Sequence, residues 1–530
     1  MTRKIWALAL LLIFPSIFLF VGSNFNSAKY AGDPSYIYLM NAINLARGKD
    51  AGHVDNPGTP VMEIGTGVIY IHHLINGSDE KTLQEEVLLD PDKFVGLIRV
   101  FFILLITLSL IFAGWFYYAK TDNIWMAFVI QFTPFLSINV LERSWTTVAP
   151  EPVLLFITTM YVVLLGWFYF DEKKSPVTYL ILFAVFGGLG LATKTTFLPV
   201  LVIPFFLLKG WKNKLFYFLG TIAAFFLFTF PAHKEYKNMF RWYDRLIGHT
   251  GVYGSGDKGL IDVSAYFKAI PEILVNNPYF TVFLVLAVAI IIWVLVKRIQ
   301  TKSTLAFKIL SALVVANLLA VLIVAKHYFN NHYLLPVLSL SGLMFFFLVE
   351  VISGVFKLQK IKSYLSAGFL IIALVIFVFH SIPILQVKDK GYYDTNAELK
   401  KVETFMDCNY PGYLRIYHYP DGLNKISALK FGNGYSKILN RFALDDLYPE
   451  AYFFNVMFGH FQHWETAYPT VDLVKEYGTK MIITGRPLSP AGMQMLNEQG
   501  FYVDSVYIGK FQSVYAIDSL SAQLSQYSSR

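Results

Sequence analysis

Two carboxylates stand in a polar stretch at residues 30–73, between the first two long apolar runs: Asp33 in YAGDPSYIYLM and Asp55 in HVDNPGTP. An ionised carboxylate held about 2.6–3.2 Å from an attacking hydroxyl can take its proton. Asp33, close behind the first apolar run, is the expected base or acceptor-orienting group, and Asp55 the second acid. Each also has a plainer use. Asp33 before Pro34 suits a helix cap, and Asp55 suits an Asx turn among prolines and Gly58. His53 would serve as a proton partner or a phosphate donor, or simply be solvated. Asp33, His53 and Asp55 together are also a set that a divalent cation accepts.

Further along, Arg143 with Glu151, Lys194 in ATKTTFLP, and Lys326 with His327 in AKHYFNNHYLLP all fall at the ends of apolar segments. A phosphate at a membrane edge needs such cations or a hydrogen-bonding fork. The alternatives are that the lysines snorkel to lipid headgroups and that Arg143 pairs with Glu151. A loop at 232–277 carries Trp242, Tyr243 and Tyr253 beside Gly251, Gly254 and Gly256. It reads as a lid with glycine hinges whose rings stack on sugar faces, with Trp242 better suited to anchoring at the bilayer interface.

These groups need a scaffold, and composition indicates which kind. The 530 residues are 55% hydrophobic, 17% aromatic and 15% charged, with a mean hydropathy of +0.50, far less charged than a soluble domain at about 25%. Apolar runs of about 20 residues recur, each long enough to cross a hydrocarbon core. Spans are expected at 5–21, 97–118, 124–141, 150–170, 176–193, 196–208, 214–231, 278–296, 305–325, 333–355 and 363–382, eleven in all, with 176–208 open to reading as one re-entrant hairpin. The first is an uncleaved span in preference to a signal peptide.

Charge orients this bundle, because short cytoplasmic loops collect Lys and Arg. Lys120, the DEKKSP loop with Lys173 and Lys174, KGWKNK, KRIQTK and KLQKIK fall on one side, which makes the N-terminus cytoplasmic. The acids and cations named above then lie on the far side, together with the tail. The net charge of +8 sits in these loop clusters and not along one face, which excludes nucleic acid as the partner. Cys408 stands alone, so no internal disulfide forms.

The tail changes character. LRIYHY, KMIITG, YVDSVYIG and SVYAI read as strands, VDLVKEYG and AGMQMLNEQG as short helices ending at glycine, and Gly432, Asn433 and Gly434 as a turn. The expected architecture is a polytopic α-helical membrane domain at 1–385, with a first outer loop at 23–96 and a second at 232–277, followed by a small extracytoplasmic α/β domain at 386–530.

GDPSYIYLMNAI, DNPGTP, the PEP after Arg143, LATKTTFLP and AKHYFNNHYLLP, taken in order, resemble the polytopic GT-C glycosyltransferases. The likeness is to the branch (glycosyltransferase families 39 and 83) holding the protein O-mannosyltransferases and the lipid A aminoarabinose transferases. It covers roughly 1–355. It implies transfer of a sugar from a polyprenyl phosphate to an extracytoplasmic acceptor with inversion, in a multi-pass plasma membrane, here a bacterial inner membrane. Asp33 matches the first-loop Asp, and Asp55 the second acidic position. Two departures stand out. Asn56 replaces a lysine, leaving the phosphate contact to Lys194 or Lys326, and Asp33 is followed by Pro34 where a tandem acid is usual.

The expected function is therefore a membrane glycosyltransferase with a polyprenyl-phosphate-linked sugar donor and a protein, lipid or glycan acceptor. Asp33 and Asp55 form the catalytic pair. His53, Arg143, Glu151, Lys194, Tyr253, Lys326 and His327 contact substrate, and no metal is required. A lipid-linked saccharide transporter or flippase is the first rival; the spans carry too few charges at mid-depth and no repeat. A non-catalytic envelope assembly factor is the second.

Overall fold

The computed structural model describes every residue except 1, 78–79, 174, 299–303, 328–329, 357–360, 421–422 and 528–530. Lys174 and parts of the KRIQTK, KLQKIK and AKHYFNNHY motifs lie outside the described residues. Contacts divide the chain into two compact units, Met1–Phe25, Val54–Val61 and Arg99–Gln386 in one, and Asn26–His53, Met62–Ile98 and Val387–Arg530 in the other.

The chain is a multi-pass membrane protein. Among the described residues eight helices are long and apolar enough to cross a bilayer, or up to ten if each of two bent pairs is one span. Pro278–Val296 and Thr304–Ala325 match the expected boundaries within a residue. The eleven expected spans are reduced for local reasons. Residues 124–141 are no single rod: Ile124–Leu136 and Ile138–Thr146 meet at 74°, where Pro134 lies in a tight turn that ends the first helix. Residues 333–355 likewise bend by 42°. Residues 196–208 form only the shorter Thr195–Leu207 segment, beside a full Pro176–Thr193 helix.

In the first unit, packing relies on small residues. A Cβ on Gly188 would lie 2.4 Å from the Ala224 Cβ and 2.6 Å from the Phe225 backbone nitrogen, so helices Pro176–Thr193 and Trp211–Thr229 touch nearly backbone to backbone. A Cβ on Gly22 would enter the Trp145 ring at 2.3 Å. That fully buried ring also packs on Phe18 and Phe25. Arg99 donates to the Trp145 carbonyl at 3.1 Å and to Phe25 at 2.9 Å, satisfying groups freed where helix Ile138–Thr146 ends.

The second unit holds a seven-stranded sheet of β1 (Leu414–Tyr419), β2 (Tyr452–Asn455), β3 (His460–His463), β4 (Thr466–Ala467), β5 (Met481–Gly485), β6 (Phe501–Ile508) and β7 (Ser513–Leu520), in the order β4-β3-β2-β1-β5-β7-β6. β1 is parallel to both β2 and β5; the other pairings are antiparallel. One face buries Ile416, Phe454, Phe461, Ile483, Leu496 and Phe501. The other packs Ile482 and Val514 against Val402 and Met406 of helix Ile382–Asn409. Helices Thr470–Tyr477 and Pro490–Glu498 stop before Gly478 (φ 59°) and Gly500 (φ 84°), as the glycines suggested.

The expected turn at Gly432–Gly434 is instead the last part of a buried helix, Lys425–Gly434. Gly432 serves close approach: a Cβ there would be 2.5 Å from the Tyr36 carbonyl oxygen and 2.8 Å from Met40. The partner is helix Ile37–Ala46 of the first loop. Asn41 donates to the Tyr435 carbonyl (3.2 Å), Asn44 to that of Ser436 (2.9 Å), and Asn440 to the Asn44 oxygen (3.1 Å). The first-loop helix and the tail thus share one core. Gly188→Leu is expected to destabilise the protein by about 1–3 kcal/mol through overpacking, whereas Gly96→Ala, where an added Cβ meets nothing within 4 Å, should gain up to about 1 kcal/mol of helix propensity. Thermal unfolding in detergent checks both.

Candidate functional site

The first unit gathers charge at one helix break. Helix Pro176–Thr193 ends at Lys194, whose extended backbone (φ −160°, ψ 136°) leads into the tight turns of Thr195–Val202. The segment Val54–Val61 is strapped onto this break: Pro57 and Lys194 form an antiparallel bridge, Thr195 donates to the Asn56 carbonyl at 3.2 Å, and Gly58 to that of Ala192 at 3.0 Å. The turn residues Asn56, Pro57 and Gly58 therefore supply the backbone partners that a broken helix lacks.

The side chain of Lys194 is 4% exposed and pairs with Glu151, 5% exposed, in the first turn of helix Pro150–Phe170. A carboxylate suits that place, because a helix N-terminus carries partial positive charge. His332 Nε2 lies 3.8 Å from the same Glu151 oxygen, and Arg143 adds its positive charge to the field there. The Lys194 ammonium sits 5.0 Å from the centroid of Tyr333. The Tyr333 hydroxyl donates to that of Tyr253 at 3.4 Å, and the Tyr253 ring tilts 30° from Trp242 at 6.1 Å. Tyr253 is exposed with φ 56°, a backbone region that side chains rarely adopt. Tyr243 contributes a buried hydroxyl without a hydrogen-bond partner among the described residues, within electrostatic reach of Asp55. Ring, phenol and ammonium groups around a buried carboxylate can bind an anion and stack on a sugar or prenyl group.

The cluster thus unites Glu151, Lys194, Arg143 and Tyr253, with Asp55 on the strap beside it. His332 and Tyr333 are additions to the expected set, while Tyr243 is one of the rings expected to stack on a sugar. His332 and Tyr333 belong to the same AKHYFNNHYLLP run as Lys326 and His327, and its repeated His–Tyr pair, at 327–328 and 332–333, was the available signal. Lys326 and His327 hold a helix end. Both donate to the last carbonyls of helix Tyr236–Gly248: Lys326 to Ile247, and His327 Nε2 to Leu246 at 2.9 Å. Burial draws both groups below their ordinary pKa values, for His327 with help from Lys326 and against the Leu246 hydrogen bond. The loop expected at 232–277 is largely helical, Tyr236–Gly248 and Val263–Asn276. Between them a closed turn has Gly254 and Gly256 at positive φ and Gly251 donating to Ser255 at 2.7 Å.

Asp33 and His53 belong to the second unit. Asp33 is exposed, at a cis Asp33-Pro34 bond that opens a short wide turn, Gly32–Tyr36. Nearby, Tyr36 donates to Asp92 at 3.0 Å. His53 is 6% exposed and lies edge-on between Tyr38 (5.5 Å) and Tyr435 (5.8 Å).

The chain has the fold of ArnT from Cupriavidus metallidurans, a structure bound to undecaprenyl phosphate: the TM-score is 0.52 at 11% identity, over 97% of this chain and 98% of that one. The likeness is one of fold, and it runs over nearly the full length of both chains. No protein-family model and no curated protein sequence matches the chain.

Two outcomes follow from the geometry. Glu151→Gln should cost about 3–5 kcal/mol of stability by leaving the Lys194 charge buried without its partner, and joining it to Lys194→Met should recover much of that loss; detergent unfolding curves of the three variants measure the coupling. Because His327 resists protonation more in the folded than in the unfolded protein, the unfolded chain binds more protons as pH falls through its unfolded value near 6.5. Stability should therefore drop on that side, and His327→Asn should flatten the decline in unfolding midpoint measured between pH 7.5 and 5.

Proposed function

We propose that this protein is a membrane glycosyltransferase moving a sugar from a polyprenyl-phosphate donor to a hydroxyl of an acceptor on the extracytoplasmic side. The observation that carries the reading is the ArnT-like fold over almost the whole chain, the solved relative being bound to undecaprenyl phosphate. The Lys194 and Arg143 charges around Glu151 support it, since an anionic lipid headgroup is what such cations suit.

In this reading the acceptor oxygen attacks the anomeric carbon as the carbon–phosphate oxygen bond breaks. Asp33 takes the hydroxyl proton and Asp55 orients the acceptor or the sugar. The departing polyprenyl phosphate keeps the bonding electron pair, and Lys194, with Arg143, offsets its charge. Glu151 holds the Lys194 ammonium where the phosphate would meet it. Tyr253 and Tyr333 present rings to the sugar or prenyl chain. His53 supports the first loop, and Lys326 and His327 act on the donor through helix Tyr236–Gly248, which they tie down. The leaving group is already an anion, so a divalent cation is not required. The acceptor is a protein, lipid or glycan of the bacterial envelope.

Sugar release from a radiolabelled polyprenyl-phosphate sugar by purified protein tests this. Asp33→Asn should lower turnover by about 10²–10⁴-fold, and Lys194→Ala should weaken donor binding; unchanged turnover in Asp33→Asn removes its catalytic assignment. A reporter fused after Tyr527 should be read outside the cytoplasm, and a cytoplasmic signal would overturn the sidedness.

A further inference from the structure

The sheet of the second unit has a feature that the transfer reading does not use. From β1 the chain passes through helix Lys425–Gly434 to β2 on one side, and β5 later joins β1 in parallel on the other. At such a switch point the connections leave in opposite directions and a crevice opens past the carboxyl ends of the strands. Here a cavity of about 280 Å³ occupies it, lined by Tyr417 of β1, Thr484 of β5, Asn424 and Lys425 at the start of the helix, Gln512 before β7, and Glu403 of helix Ile382–Asn409.

The polar groups facing this cavity are mostly donors, and two lack acceptors among the described residues. Gln512 is 2% exposed, yet its Nε2 has no partner among the described residues. Asn424 uses its Oδ1 to cap the helix at the Ser427 amide (2.8 Å), while its Nδ2 is also without a partner. Buried donors are normally satisfied, so two unmatched amides on one cavity wall point to an absent acceptor. Lys425 brings a positive charge over the Tyr448 ring at 4.9 Å, and the helix start adds its partial charge. Arg415, also on the wall, is engaged by Asp407. Burial pushes the Tyr417 hydroxyl up to about 12, so it remains a donor at neutral pH.

We propose that this crevice binds a small oxyanion, a carboxylate or phosphate carried on a sugar-sized polyhydroxy body, through Gln512 Nε2, Asn424 Nδ2 and Lys425 Nζ, with Glu403 accepting from a ligand hydroxyl. The site is distinct from the Glu151–Lys194 cluster and stands whether or not the chain transfers a sugar.

Calorimetric titration of the full-length protein in detergent with glucose 1-phosphate, glucuronate, inorganic phosphate and glucose tests it. Saturable binding of glucose 1-phosphate or glucuronate is expected, weakened at least about tenfold by Gln512→Glu and by Lys425→Ala, with glucose bound at least about tenfold more weakly. A preference for glucose 1-phosphate assigns a phosphate ligand, and one for glucuronate a carboxylate ligand. Either supports the site. Binding of none of the anions, binding of inorganic phosphate alone, equal binding of glucose, or full affinity in Lys425→Ala overturns it. Lys425 is partly exposed, so that variant answers the question even if Gln512→Glu does not fold.

Discussion

A carboxylate and an ammonium, each almost wholly removed from solvent, can coexist there only as partners, because either one alone would carry an unpaid desolvation penalty. Glu151 and Lys194 impose that condition on the first unit. Lys194 reaches Glu151 because the helix before it stops at Thr193 and the next turns are tight, and the stop is tolerable because residues 56–58 lend hydrogen bonds to the exposed backbone. Pro150 at the start of the facing helix puts Glu151 in its first turn, where the helix dipole favours an anion. The position of Asp55 on the strap follows from the same break.

Much of this was legible in the residues, for reasons that differ by element. Runs such as 278–296 and 305–325 are unbroken and apolar, so length and hydropathy alone locate them. The bend near Pro134 was not anticipated, because a proline inside an apolar run can kink a span or end it, and the choice depends on what packs against it. The Thr195–Leu207 segment is apolar but too short to cross a bilayer by itself. At the candidate site, the charged residues stood out because ions are scarce in such a chain. His332 and Tyr333 did not, since the repeat of the His–Tyr pair acquires a meaning only when its neighbours are in place.

The second unit shows the opposite difficulty. Strands with alternating or β-branched patterns, such as Leu414–Tyr419 and Ser513–Leu520, were readable, while Tyr452–Asn455, only four residues long, was not. Gly432, Asn433 and Gly434 carry the composition of a turn, and glycine's usual meaning misleads there. The missing side chain admits a neighbouring carbonyl, and tertiary contact overrides the poor helix propensity.

The asparagines that bind the first-loop helix to the segment after Gly434 connect positions 392 to 396 apart in the chain. Their donors and acceptors are matched pair by pair, so neither partner is a self-contained cassette. A chimera that exchanged the tail between two proteins of this architecture while keeping the original first loop would juxtapose amides and carbonyls selected for different counterparts. Recombination that respects the fold has to move both pieces together, although nearly the whole helical bundle lies between them in the gene.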